Sequence, residues 1–305
     1  MQLALDQLLA LLDLEDLEVN VFRAQSPQDG SQRVFGGQVL GQALVAAGRT
    51  TPGEGEQAHS FHAYFLRPGD PRKPILYEVD RTKDGRAFTT RRVVAVQHGR
   101  AIFHMEASFH RPETGLEHQD EMPDVPDPET LMSMTERMAP LAERARNAAE
   151  RARNAAERAR NAAESAWLRR EQAVESRYVT EVDLVSPVKL PPRLMVWLKA
   201  NGRLPADPLI HQCVVAYASD MTLLDTAMLP HAISWFDGSQ QVASLDHALW
   251  FHRALRADEW LLYVQESPSA SGARAFSTGR IFSREGTLVA SVVQEGLVRP
   301  KRREP

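Results

Sequence analysis

The chain has 305 residues, 43% hydrophobic and 25% charged, the make-up of an ordinary globular protein of about two domains at ~100–200 residues each. A net charge of −4 gives no general attraction to nucleic acid or an anionic membrane, so a phosphate-bearing ligand must meet local basic groups. One cysteine, Cys213, excludes an internal disulfide framework and a cysteine-based metal cluster, and no apolar run reaches the ~20 residues of a membrane span.

The leucines at positions 3, 5, 8, 9, 11, 12 and 14 suit an amphipathic helix, and Asp6, Asp13, Glu15 and Asp16 argue against a signal peptide. "GGQVLGQALVAAG" (36 to 48) is apolar around nearly the whole helical wheel and predicts a buried helix. "HAYFLRP" (62 to 68), "PILYEVD", "RAFTTRR" (86 to 92) and "GRAIFHMEASFHRP" follow, apolar or alternating runs whose turn pair Asp84-Gly85 predicts antiparallel hairpins. A polar region then runs from about Pro112 to Pro187 and opens on the Pro-rich, acidic "EMPDVPDPET". Within it "ERARNAA" occurs three times from Glu143 to Ala163; its alanine, glutamate and arginine favour helix. With no leucine or isoleucine seam it is expected to be a solvated helical insertion, not a coiled coil.

The second half repeats the first. "IHQCVVAYASDMTLL" (210 to 224) predicts another buried helix, and "HALWFHR" (247 to 253), "WLLYVQES", "RAFSTGR" (274 to 280) and "GTLVASVVQEGLVRP" match the earlier blocks in order and spacing. Four collinear blocks indicate an internal duplication. The expected organisation is α+β: residues 1–112 as one domain, 113–186 as a linker with the heptads at 143–163, and 187–305 as the second domain. Each domain is a helix wrapped by an antiparallel sheet.

The motifs "VFGGQVLGQAL", "HSFHAYFLRPGD", "YASDMTLL", "SLDHALWFHR", "SGARAFSTGR" and "ASVVQEGLVR" resemble those of the acyl-CoA thioesterase II family, the double-hotdog thioesterases. The resemblance runs from the first leucine-rich helix to Arg299, interrupted by the linker. It implies hydrolysis of fatty acyl-CoA to fatty acid and CoA without metal or organic cofactor, in a chain that can assemble further into dimers or tetramers; with a basic "RPKRREP" end that is not a Ser-Lys-Leu signal, the cytoplasm is the default expectation. The resemblance also implies a catalytic group of Asp220, Ser244 and Gln294; many bacterial relatives carry threonine in place of Ser244. The alternative is a non-catalytic acyl-CoA-binding module that has kept the fold.

These residue types suit the chemistry. Thioester hydrolysis needs an activated water and a donor for the oxyanion; Asp220 can accept protons, while Ser244 and Gln294 both donate and accept hydrogen bonds. Ser244 lacks the Gly-x-Ser-x-Gly elbow of nucleophilic serines, which favours direct attack by water. Without the family, Asp220 can be read as a helix cap, but its apolar surroundings favour function because an idle buried carboxylate is costly, and Gln294 reads as a solvent-facing strand residue. Gly36 and Gly37 are candidate oxyanion donors at a helix start, where tight packing explains them as well. His62 and His247 fall at equivalent places in the two halves and read as strand scaffold. Asp246, two residues after Ser244, is expected on the same face of one strand. Arg86, Arg91 and Arg274 are the expected CoA phosphate contacts, and Leu66, Trp250 and Phe251 are candidates to line an acyl channel.

Overall fold

The computed structural model describes residues 2–28, 30–53, 55–151, 172–183, 186–235 and 239–301. The leucine-rich start is helix α1 (Gln2–Leu12), which buries Leu5, Leu8 and Leu12. Strands β1 (Glu15–Glu18) and β2 (Val21–Ala24) follow, then helix α2 (Gly36–Gly48), whose residues are buried from Gly37 to Ala47. Strands β3 (Gln57–Phe65), β4 (Ile75–Asp84), β5 (Phe88–Gln97) and β6 (Arg100–His110) complete the first half. Gln97 and Arg100 are joined by His98 and Gly99, both at positive φ, as a two-residue hairpin turn matching the sheet twist requires.

Helix α3 (Met134–Arg151) contains the described part of the heptads. There Ala145 and Ala149 are buried while Arg144, Arg146 and Arg151 are exposed, so an alanine stripe is covered where full solvation was expected; residues 152–163 of the repeats lie outside the described residues. Strands β7 (Val174–Tyr178) and β8 (Arg193–Ala200) come next, then helix α4 (Pro208–Ser219) and the single turn α5 (Asp225–Met228). Strands β9 (Gln240–Ser244), β10 (Asp246–Phe251), β11 (Leu261–Ser271), β12 (Arg274–Ser283) and β13 (Leu288–Pro300) close the chain.

The expected linker 113–186 needs correction at its end. Val174–Tyr178 pairs antiparallel with β8 and is the edge strand of the second half's sheet. Its alternation of buried and half-buried residues is that of a sheet strand. The linker's start is also pinned to this half: the Trp197 indole donates to Pro126 O at 3.0 Å, and Arg284 meets Asp127 and Glu129 at 2.9 Å each.

Among the described residues the strands form one antiparallel sheet in the order β1-β2-β4-β5-β6-β3-β10-β13-β12-β11-β8-β7, with β9 beside β13. The two halves join where β3 pairs with β10, for example His62 opposite Ala248. Helices α2 and α4 pack together inside the curled sheet; a Cβ on Gly41 would lie 3.2 Å from Cys213 O, so the backbones are close. α4 is started by Asp207, which accepts from Leu209 N at 2.9 Å, with Pro208 at the first helical position.

Candidate active site

Helix α4 ends at Asp220, and its carboxylate faces the first turn of α2 from the other half. Gln294 of β13 donates its amide N–H to Asp220 Oδ1 at 2.6 Å, and the Ser244 hydroxyl donates to the same oxygen at 3.1 Å. The structure therefore brings Asp220, Ser244 and Gln294 together from a helix end and two strands. Gln294 is fully buried, contrary to the solvent-facing reading of a lone polar strand residue, because this face of β13 lies over the helices. The Asp220 side chain is 4% exposed. Burial raises its pKa to about 6, opposed by the hydrogen bonds from Gln294 and Ser244 and by the nearby Gly37 backbone N–H.

The two glycines have distinct geometry. A Cβ on Gly36 would stand 2.5 Å from Asp220 Oδ2, and one on Gly37 would meet Tyr217 O at 2.3 Å. Only glycine allows the helix start to approach this closely. The Gly37 backbone N–H is close enough to Asp220 to hold its pKa down, so both glycines present the helix start to the carboxylate. The positive end of α2 thus favours the charged carboxylate that burial disfavours.

Ser244 and Asp246 do not share a strand face. The chain crosses from β9 to β10 at Leu245, so Ser244 pairs with Gly296 while Asp246 pairs with Tyr64. Asp246 accepts from Glu295 N at 2.6 Å and leaves Ser244 alone. His247 is fully buried beside the site, and burial lowers its pKa to about 3, so its ring is neutral at neutral pH. The Ser219 hydroxyl spends its proton on Ala216 O, so it accepts from His247 Nε2–H at 2.9 Å. The other ring nitrogen, Nδ1, is 4.0 Å from Asp220 Oδ1 and has no partner. Reading His247 by its equivalence to His62 missed this placement.

Asp220 and Ser244 lie on a cavity of about 610 Å³, within the usual ~300–1,000 Å³ range for ligand sites. Its apolar lining includes Val39, Phe65, Leu66, Met134, Met138 and Leu224; Trp250 and Phe251 are not among the lining residues. The cations on its wall are Arg33 and Arg67, both exposed. Three expected phosphate contacts do not line it. Arg91 is fully buried and bonded to Thr50, Thr90 O, Lys83 O and Asp84, a structural post of the first half. Arg86 is exposed at the β4–β5 turn, near the Gln57 end of β3 and about 26 Å along the sheet from Phe65 at ~3.3 Å per residue. Arg274 is exposed and pairs with Glu295 at 3.0 Å. Arg67 stands in "FLRPGD", a stretch visible in the sequence, but nothing in its pattern marks it as facing a cavity.

A second carboxylate, Asp225, is on the same wall, and burial raises its pKa to about 7. Among the described residues no group of three His, Cys, Asp or Glu side chains could hold a metal ion.

Residues 174–297 match the family model "Acyl-CoA thioesterase", and residues 24–110 match "Acyl-CoA thioesterase N-terminal domain". The chain belongs to the acyl-CoA thioesterase II family. It is 40% identical to acyl-CoA thioesterase 2 of Haemophilus influenzae, over 97% of this chain and 98% of that protein. It is 40% identical to human acyl-coenzyme A thioesterase 8, over 95% of this chain and 88% of that protein. The crystal structure of an acyl-CoA thioesterase II from Mycobacterium marinum superposes with a TM-score of 0.74 at 42% identity, covering 96% of this chain and 98% of that one. A hot dog fold protein from Alicyclobacillus acidocaldarius, 16% identical with a TM-score of 0.72 over 97% of this chain and 99% of that one, shares the fold. This thioesterase is thus an α+β double hotdog and a thioester hydrolase.

Proposed function

We propose that the enzyme hydrolyses fatty acyl-CoA by direct attack of a water held by Asp220, Ser244 and Gln294. The observation that carries this reading is the convergence of Ser244 Oγ and Gln294 Nε2 on one oxygen of Asp220, at the wall of an apolar cavity. Ser244 has given its only proton to the carboxylate, so its lone pairs are free to accept from a water. Asp220 takes the proton of that water as its oxygen bonds to the thioester carbon, and the resulting oxyanion collapses by breaking the C–S bond. The proton on Asp220 then passes to the departing CoA sulfur, which yields the fatty acid and CoA. A carboxylate with a pKa near 6 is ionised at neutral pH yet basic enough for this exchange.

Gly36 and Gly37, at the start of α2 beside Asp220, are the backbone donors placed to take the oxyanion role. Arg33 and Arg67 stand at the cavity where CoA phosphates would be met. Thiol release from acyl-CoA tests the reading: Asp220→Ala should lower kcat by at least ~100-fold, and wild-type activity on no acyl-CoA of any length would refute it. Mass analysis of the Ser244 peptide after rapid quenching should find no acyl adduct; an adduct would replace direct hydrolysis with a serine nucleophile.

A further inference from the structure

Two hydroxyls on the cavity wall have no hydrogen-bond partner among the described residues. Ser176 and Tyr178 alternate along β7, are 2% and 4% exposed, and line the same cavity as Asp220 and Ser244. Among the described residues neither hydroxyl makes a hydrogen bond, although both are nine-tenths buried. Asp225 faces the same space. Its Oδ1 accepts from the Trp235 indole N–H, and its Oδ2 has no partner among the described residues. Tyr178 and Asp225 also border an annex of about 30 Å³ with Leu194, Met228 and Leu229, which has room for one group the size of a water.

A plain hydrocarbon chain laid against this wall would strip solvent from two hydroxyls and a carboxylate and return nothing. An alcohol on the chain would accept a hydrogen bond from Tyr178 or Ser176 and donate its own proton to Asp225. A second carboxylate on the chain would stand against Asp225, and two carboxylates sharing one buried site cannot both ionise without cost. An ammonium group accepts no hydrogen bond, so it would leave the hydroxyl protons without a partner.

We propose that Ser176, Tyr178 and Asp225 form a subsite for a hydroxyl group carried on the acyl chain, so that hydroxylated acyl-CoAs are preferred substrates. The inference rests on the reading that this cavity takes the acyl chain. β7 is the fourth strand from β13 in the sheet, so the subsite stands on the cavity wall away from Ser244 and Gln294 and meets the chain beyond the carbons next to the thioester.

The test compares acyl-CoAs of equal length with and without a hydroxyl at successive carbons, from the third outward, by thiol release. In wild type, kcat/KM should favour the hydroxylated thioester by about tenfold at one position past the third carbon, the worth of one net hydrogen bond. The ratio should fall towards one in Tyr178→Phe, with a smaller fall in Ser176→Ala. A wild-type ratio of one or less at every position overturns the subsite, as does a preference that both variants leave intact. If wild type hydrolyses none of the thioesters, the thioesterase reading fails instead. Calorimetric binding of non-hydrolysable thioether analogues of the same pairs then decides the subsite by the same ratio.

Discussion

Replacing Asp220 by Asn removes one ionisation and almost no volume. Burial holds the folded carboxyl at about 6 against an ordinary 3.8, and a side chain only 4% exposed is little screened by solvent. Between those values the folded protein binds more protons than the unfolded chain, so this group's contribution to stability falls as pH rises. The loss begins near pH 3.8, is complete above about 6, and amounts to roughly 3 kcal/mol at ~1.4 kcal/mol per pH unit. About 2 kcal/mol of it falls between pH 4.5 and 8. The Asn variant escapes this loss. Its Oδ1 still accepts from Ser244 and Gln294, and exchanging the other carboxylate oxygen for an amide adds a cost that does not vary with pH. Asp225 titrates in both proteins and largely cancels. Urea unfolding of both proteins at half-unit steps from pH 4.5 to 8 should therefore show the variant gaining about 2 kcal/mol on wild type as pH rises. A difference that stays flat across that range refutes an elevated pKa for Asp220.

The pH profile of kcat/KM should rise with unit slope to about pH 6 and level off, since Asp220 acts ionised. Gln294→Leu removes a bond that holds that pKa down, so the limb should move to higher pH; a limb that stays put or moves lower would exclude this role for Gln294. Arg91→Ala should destabilise the fold by about 3 kcal/mol by orphaning buried acceptors, and should leave KM for acyl-CoA unchanged at temperatures where the variant is folded. Arg67→Ala should raise that KM several-fold, and an effect of Arg91 on KM without loss of stability would restore it as a phosphate contact.

Hydrophobic periodicity alone carries a long way in this chain. α1, the two buried helices and the hairpins all follow from local pattern, and the duplication follows from four collinear blocks, because period and turn chemistry are properties of neighbouring residues. The meeting of Asp220, Ser244 and Gln294 was legible only through family resemblance; by pattern, the apolar surroundings of Asp220 mark it as functional without naming its partners, and Gln294 is a surface residue.

What tertiary structure alone decided concerns long-range closure. Arg91 and Arg67 both stand in the strand-rich motifs of the first half, yet Arg91 on β5 is locked under Thr50 while Arg67, two residues past β3, opens on the cavity, since burial depends on what packs over a face. The break at Leu245 separates Ser244 from Asp246 because the chain slips by one residue against β13 there: Ser244 lies opposite Gly296, whereas Ala248 lies opposite Val293. Tyr178 and Asp225 share a wall although they come from different segments, the first from a stretch that composition marks as linker. Local sequence sets which elements can form; the nonlocal pairing of the sheet around α2 and α4 sets which polar groups lose water and which face the cavity.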